Sequence, residues 1–155
     1  MQKQSVLTVF IAISLGGCGL VTAPPCTHTA QVSYAPSAGC LSVSEKGLLV
    51  VEDLSGKISP PGGSADEGES AQCAAYRETW EETGLQLRPT THLATLDTGF
   101  HVYLCEQDEL SGELNPPPRW EVRQAFYLPL DQFDQWEWRF AGQDTIMSDL
   151  VKSLP

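Results

Sequence analysis

The stretch that most constrains this chain is residues 63–85, GSADEGESAQCAAYRETWEETGL. Ser70 is a favoured N-cap residue, and it stands just before a run of good helix formers. Gly84 suits the left-handed position that commonly follows the last turn of a helix. The spacing therefore predicts a helix that begins after Ser70 and ends at Gly84.

Three glutamates share one side of this predicted helix. Glu78, Glu81 and Glu82 stand at i, i+3 and i+4, which places their side chains one turn apart. Like charges at this spacing destabilise a helix by roughly 0.2–0.5 kcal/mol per pair. A hard divalent cation such as Mg²⁺ prefers oxygen ligands and reverses that repulsion. The pattern predicts a metal site, in which Arg77 can hold one glutamate and the bare backbone at Gly62 can offer a carbonyl.

The fixed letters of this stretch resemble the Nudix box, G-x5-E-x7-R-E-U-x-E-E-x-G-U, where U is bulky and apolar. Gly63 and Glu69 match the first two letters, and every later fixed letter is also matched. Thr79 stands in the first U position, which weakens packing but alters no charged group. So many matched positions make the resemblance specific.

The resemblance implies a Nudix hydrolase with an α/β (α+β) fold, an α/β/α sandwich built on a mixed β-sheet. It implies hydrolysis of a diphosphate linked to a further group X, with Mg²⁺ or Mn²⁺ as cofactor. The metal ligands implied by position are Gly62, Glu78, Glu81 and Glu82. The supporting residues implied by position are Gly63, Glu69 and Arg77.

The general base stays open between two carboxylates, because it differs among branches of the family. Glu78 is one candidate, and Glu121, just before a predicted strand, is the candidate from a later segment. Glu121 is equally well explained as a charge at a strand edge. The substrate is open between a nucleoside diphosphate-X compound and a diphosphate of the cell envelope.

Two hypotheses without catalysis compete with the enzyme hypothesis. Some Nudix-like domains are binding or sensing modules, and these usually lose a box glutamate, whereas Glu78, Glu81 and Glu82 are all present here. The other hypothesis is a structural envelope lipoprotein whose acidic helix only binds cations. The complete box favours the enzyme.

Charge limits the range of partners. The chain has 155 residues, enough for one domain with a core, and its net charge is -11 with nine Lys and Arg. A protein of this charge is unsuited to neutralising a row of phosphates, so we expect no nucleic acid polymer as a partner. A small anionic substrate is also repelled unless a cation meets it first.

The N-terminus resembles a bacterial lipoprotein signal. Residues 1–17 combine an early lysine, a short apolar run and small residues, and the run is too short to span a bilayer. Cys18 is then the expected lipidated residue, 18–30 a tether and 31–155 the Nudix domain. Gly19 resembles the outer-membrane sorting pattern, so we expect a lipid-anchored, periplasm-facing envelope protein.

Four further cysteines, Cys26, Cys40, Cys73 and Cys105, allow three ways to form two disulfides in an oxidising compartment. A Cys26–Cys40 bond is the favoured pairing, because it would fasten the tether to the domain. Cys73, on the predicted helix, is then a core residue. The sequence contains no CxxC spacing, so it does not indicate a zinc site.

Periodicity predicts the remaining elements. Strands are expected at 32–34, 40–44, 47–53, 85–87, 93–96, 100–105 and 122–130, and an amphipathic helix at 143–154. Residues 48–51 and 126–128 are the expected core. Residues 106–118, rich in proline and acids, form an exposed loop that is either a connector or a substrate-selecting segment.

Three aromatic residues near the C-terminus have two interpretations. Trp136, Trp138 and Phe140 can stack on a nucleobase, or they can pack in the core. Packing is the favoured interpretation.

Overall fold

The computed structural model describes residues 23–27, 33–108, 111–116 and 121–154. The predicted signal peptide, residues 1–17, and the predicted lipidation site, Cys18, lie outside these residues. Within the described ranges, no helix combines the length and the apolar character needed to cross a bilayer.

The chain alternates short strands with two α-helices. The strands are β1 (Ser37–Leu41), β2 (Val43–Ser44), β3 (Gly47–Asp53), β4 (Ile58–Ser59), β5 (Gly62–Ser64), β6 (Leu87–Thr95), β7 (Phe100–Gln107) and β8 (Val122–Leu128). The helices are α1 (Ala71–Thr83) and α2 (Gln143–Lys152), with a 3₁₀ helix at Leu130–Gln135.

The strands form two sheets. The first has the order β5-β1-β7-β6 and is mixed, because β1 and β7 are parallel while the other pairs are antiparallel. The second is antiparallel, with β3 flanked by β2, β4 and β8. This confirms the predicted α+β class with a mixed sheet between helices.

Helices cover both sides of the strands, which explains the continuous apolar run in β3. Leu49 packs in a cluster with Ala74 and Ala75 of α1, whereas Leu48 and Val50 pack in a cluster with Met147 of α2. Successive residues of a strand point to opposite faces. Both faces of β3 must therefore be apolar, as predicted for residues 48–51.

The box helix has the predicted bounds. The Ser70 side chain accepts a hydrogen bond from the Cys73 amide at 3.2 Å, which satisfies one free N–H of the first turn. Gly84 adopts φ 76° and donates its N–H to the Trp80 carbonyl at 2.8 Å. Both ends of α1 are thus fixed by the residues that predicted them.

Other predictions needed correction. Ser33 and Tyr34, the described part of the strand predicted at 32–34, are not in a strand, and the strand predicted at 93–96 begins earlier, at Leu87. Gly62 and Gly63 belong to the short strand β5, which pairs with β1. Long-range pairing decides these segments, and periodicity does not encode it.

The favoured Cys26–Cys40 disulfide is wrong. The structure pairs Cys26 with Cys73 on α1, with Cα atoms 5.5 Å apart, and Cys40 with Cys105, with Cα atoms 5.4 Å apart. Cys40 lies on β1 beside β7, and its side chain faces the buried cluster under α1. Cys40 therefore lies next to Cys105, and Cys26 forms its disulfide with Cys73 on α1 instead.

Candidate functional site

Arg77 organises the acidic residues of the box. Its Nε and Nη2 donate to the two carboxylate oxygens of Glu69 at 3.0 and 2.8 Å. Its Nη1 donates to Glu78 at 2.7 Å and, at 3.4 Å, to Glu81 one turn further along α1. Nη2 also donates to the Ser64 carbonyl at 2.8 Å, which ties the helix to the end of β5. One guanidinium thus fixes three carboxylates, as a planar five-donor group can.

Glu82 faces the protein interior. Its residue exposure is 6%, and its Oε2 accepts a hydrogen bond from the Gly62 amide at 2.8 Å. The contact seen at Gly62 is therefore through its N–H. Gly62 must lack a side chain, because a Cβ there would lie 2.5 Å from the Gly39 Cα on the paired strand.

Gly63 makes room for Glu78. A Cβ on Gly63 would lie 2.5 Å from the Glu78 Cδ and 2.6 Å from its Oε2. The Glu78 carboxylate therefore packs directly on the bare backbone of β5. This contact explains why the residue at position 63 must be glycine if Glu78 is to keep its place.

The burial of these carboxylates changes their proton affinities. Burial raises the pKa of Glu78, and the hydrogen bond from Arg77 offsets this only in part. Burial also raises the pKa of Glu82, to about 8, and the negative charge of Glu78 adds to the rise. At Glu69 burial acts in the same direction, but the bonds from Arg77 and the Asp66 amide outweigh it and lower the pKa.

Two residues distant in sequence reach this cluster electrostatically. The charge of Glu121, an exposed residue just before β8, adds to the rise in the pKa of both Glu78 and Glu82. Arg139 acts in the opposite direction on the pKa of Glu82. The fold therefore brings Glu121, predicted as a candidate base, towards the box. It also brings Arg139 there, which was not predicted.

The donor set suits a hard divalent cation. Three carboxylates, Glu78, Glu81 and Glu82, project from two turns of α1, and a cation would relieve the cost of keeping the buried ones charged. In the arrangement seen, no three acidic, histidine or cysteine side chains of the described segments surround one point closely enough to hold an ion. The reason is visible, since Arg77 bridges Glu78 and Glu81 while Glu82 turns to Gly62.

Comparison with known proteins decides the family. A model of the NUDIX domain matches residues 33–149, which include the whole box and the strands around it. The chain belongs to the Nudix family. The resemblance drawn from the box alone is thereby confirmed, and it extends over most of the chain.

Similar proteins carry related names. An RNA pyrophosphohydrolase of Psychrobacter sp. (strain PRwf-1) is 34% identical over 92 residues, 50% of this chain and 53% of the relative. The chain thus spans about half the length of that curated relative. An ADP-ribose pyrophosphatase of Streptococcus suis 89-1591 has a similar structure, with TM-score 0.63, 23% identity and coverage of 79% of this chain and 96% of that one. A UDP-X diphosphatase gives TM-score 0.60 and 17% identity, with coverage of 80% and 62%. These structural likenesses show the Nudix fold.

A cavity of about 320 Å³ lies beside the box of this Nudix domain. It is bounded by β1, the β4–β5 segment, β7 and the start of α2, and Gly62 forms part of its wall. Most of its walls are apolar, and its charged lining residues are Asp97 and Arg139. The larger apolar side chains that line it are Leu96, Phe100, Val102, Phe140, Ile146 and Met147.

The three C-terminal aromatic residues have different roles. Trp138 is buried, packs on Phe133 with ring centres 5.2 Å apart, and donates its indole N–H to the Phe133 carbonyl. Trp136 packs on Phe126 with ring centres 4.9 Å apart. Phe140 is 57% exposed and lines the cavity. Packing therefore explains both tryptophans, and only Phe140 is available to a ligand in the cavity.

The residues missed by the sequence reasoning are Asp53 and Arg139. The Arg139 Nε donates to the Asp53 Oδ2 at 3.3 Å across 86 positions of sequence. Hydrogen bonding from Ser55, followed by Lys57 and Arg139, overcomes burial and lowers the pKa of Asp53 to about 2. A signal was available in the scarcity of cations, nine in a chain of net charge -11. An arginine among aromatic residues is notable in such a chain.

Proposed function

We propose that this chain is a Mg²⁺- or Mn²⁺-dependent hydrolase that cleaves a diphosphate bond in a nucleoside diphosphate-X compound or an envelope diphosphate. The observation that carries the proposal is the arrangement of the box. Arg77 holds Glu78 and Glu81, while the Gly62 amide holds the buried Glu82. Keeping these carboxylates together and partly buried costs stability, which is reasonable where they serve a bound cation.

The residues that would hold the ion are Glu78, Glu81, Glu82 and the Gly62 carbonyl. When bound, a divalent ion neutralises charge on phosphate oxygens and lowers the pKa of water. In the reaction a water oxygen forms a bond to one phosphorus. The bond between that phosphorus and the bridging oxygen of the diphosphate breaks, so that a phosphate leaves. Arg77 and Glu69 keep the carboxylates in place for this step.

A general base must take one proton from the attacking water. Glu78 suits this role because burial raises its pKa, and a base works best when its pKa approaches the working pH. Glu121 is the alternative, because it is exposed and close enough to influence the pKa of Glu78. Glu121→Gln separates the two, since it should lower kcat at least about 100-fold only if Glu121 is the base.

The substrate is a small diphosphate and not an RNA chain. The relative named RNA pyrophosphohydrolase aligns over 92 residues only, and a net charge of -11 opposes the docking of a polyanion. The cavity beside Gly62, about 320 Å³, has room for one moderate group X. Its apolar walls favour an aromatic or apolar group over a highly hydroxylated one.

A panel of diphosphates tests the activity directly. An NDP-sugar, a dinucleoside diphosphate and an isoprenoid diphosphate would each be incubated with Mg²⁺ or Mn²⁺. Phosphate would be measured after a phosphatase step for the first two substrates and directly for the isoprenoid diphosphate, whose cleavage releases phosphate. Glu82→Gln should abolish turnover, whereas Glu45→Gln, an exposed glutamate of the β2–β3 turn, should leave it unchanged. Absence of turnover with every substrate and both metals would favour a binding or sensing domain.

We further propose that the protein is a cell-envelope lipoprotein, anchored through Cys18 and facing the periplasm. The lipoprotein-like pattern of residues 1–18 supports the anchor. Two disulfides among four cysteines support an oxidising compartment. Mass spectrometry of the mature N-terminus tests this, because an unmodified Cys18 would exclude the anchor.

A further inference from the structure

Arg139 lines the cavity and is held in place by hydrogen bonds from its backbone and its side chain. Its backbone N–H donates to the Ile58 carbonyl at 2.8 Å, which holds residue 139 against β4. Its Nε donates to Asp53 at 3.3 Å. The Asp53 carboxylate is itself fixed, because Ser55 and the Lys57 amide donate to its Oδ1. The arginine is therefore held at both its backbone and its side chain.

The terminal amines of Arg139 remain available. Among the described residues, no side chain or carbonyl accepts a hydrogen bond from its Nη atoms, and the side chain is 35% exposed. Arg139 lines the cavity with Gly62, whose amide binds Glu82. A guanidinium with two free amines at this place can bind a phosphate with two parallel hydrogen bonds.

We propose that Arg139 binds the diphosphate of the substrate from the cavity side, and that Asp53 positions its guanidinium for that contact. This inference rests on the proposed function. It answers the problem that the charge of the chain creates, since a protein of net charge -11 needs a local cation to attract an anionic substrate. Asp97, the other charged residue of the cavity wall, disfavours an anion elsewhere in the cavity.

The proposal also orients the substrate. Gly62 connects the box to the cavity, because its amide binds Glu82 of α1 and the residue also lines the cavity together with Phe140 and Met147. A diphosphate held by Arg139 would place its phosphorus atoms towards the box and its group X in the cavity. A cation in this position therefore separates the reacting end of the substrate from the recognised end.

Binding of inorganic pyrophosphate tests Arg139 without any assumption about X. Isothermal titration with Mg²⁺ present should show that Arg139→Gln weakens pyrophosphate binding about tenfold or more, as expected for the loss of a charge-assisted pair. Arg139→Lys should retain part of the affinity, because the charge remains but the fork is lost. Arg88→Gln is the matched control, because Arg88 pairs with Glu106 on exposed strand residues.

A measurement of metal affinity distinguishes this role from a structural one. Arg139→Gln should bind Mn²⁺ as wild type does, whereas Glu82→Gln should not. Pyrophosphate affinity in Arg139→Gln within twofold of wild type would overturn the proposal, and so would a wild-type protein that binds no pyrophosphate.

A second measurement needs no variant. Pyrophosphate should slow phenylglyoxal modification of Arg139 severalfold and leave Arg88 unaffected, as read by peptide mass spectrometry. Equal rates at Arg139 with and without pyrophosphate would overturn the proposal.

Turnover of the diphosphate panel distinguishes a failure of this inference from a failure of the proposed function. If substrates of the panel are cleaved and Arg139→Gln keeps the wild-type KM, the role of Arg139 is wrong and the proposed function stands. If no substrate is cleaved but pyrophosphate binding depends on Arg139, the proposed function is wrong and the role of Arg139 in binding stands.

Discussion

Glu82→Gln should make the metal-free protein more stable at alkaline pH, although it should abolish Mg²⁺-dependent hydrolysis. Glu82 is 6% exposed, and burial raises its pKa from 4.5 to about 8. The substitution keeps an oxygen that can accept the Gly62 N–H, so the fold should remain intact. What it removes is a negative charge that burial disfavours.

The expected magnitude follows from the two pKa values. Because the folded-state pKa is the higher one, the stability linked to Glu82 is fully present below pH 4.5 and is lost as the pH rises through about 8. A rise of about 3.5 at about 1.4 kcal/mol per pKa unit sets an upper limit of about 5 kcal/mol. The amide accepts a weaker hydrogen bond than the carboxylate, so we expect a net gain of about 2–4 kcal/mol at pH 9.

Urea denaturation in EDTA at pH 4 and pH 9 measures this difference. The two proteins should have similar unfolding free energies at pH 4, and the variant should be more stable at pH 9. Added Mg²⁺ should stabilise only the wild type, because the variant lacks a ligand. Glu45→Gln, at an exposed position, should show neither effect. A variant less stable than wild type at pH 9 without metal would refute the reasoning.

Three further predictions concern the surroundings of the site. Gly63→Ala should reduce Mn²⁺ affinity and kcat at least about tenfold, because its Cβ would lie 2.5 Å from the Glu78 Cδ; titration with Mn²⁺ measures this, and wild-type affinity would contradict it. Asp53, with its pKa of about 2 against an ordinary 3.8, contributes stability above pH 4 that is lost as the pH falls through 2. Asp53→Asn should therefore cost about 1–2 kcal/mol at pH 7 in urea denaturation and almost nothing at pH 1.5. Replacing Cys40 and Cys105 by alanine should cost about 2–4 kcal/mol of unfolding free energy, and an unchanged urea midpoint would show that the buried bond adds nothing.

The box could be predicted because its information is local. Ser70 and Gly84 fix the ends of α1 through contacts within four residues. The spacing of Glu78 and Glu82 follows from the helical repeat alone. The strand Gly47–Asp53 was also predicted with its observed bounds, because both its faces are covered and its sequence is continuously apolar.

The rest of the site depends on pairs of residues that the chain brings together from far apart. Asp53 and Arg139 are 86 positions apart, and no local spacing relates them. The Cys40–Cys105 bond requires β1 and β7 to be parallel neighbours, which follows only from the sheet order. The division of the strands into two sheets is likewise a property of long-range pairing, and strand propensity does not determine it.

The Cys26–Cys73 disulfide constrains where the site can act. Cys73 lies one helical turn before Arg77, and the segment around Cys26 borders a hollow that Arg77 and Glu81 also line. If Cys18 carries the proposed lipid, the eight residues to Cys26 can span at most about 29 Å. The carboxylates of α1 would then stay close to the bilayer surface whatever the conformation of the tether.

That constraint leads to a prediction about membrane-borne substrates. In vesicles containing an isoprenoid diphosphate, the lipid-anchored protein should turn over faster than the same domain without its anchor, because tethering raises the effective concentration of the site at the surface. Removing the Cys26–Cys73 bond by double serine substitution should reduce this advantage, since the tether then lengthens by the segment up to β1. The rate on a water-soluble diphosphate should not change in either comparison. An anchored protein that gains nothing on the vesicles would argue that its substrate is a soluble diphosphate, and that the disulfide serves stability alone.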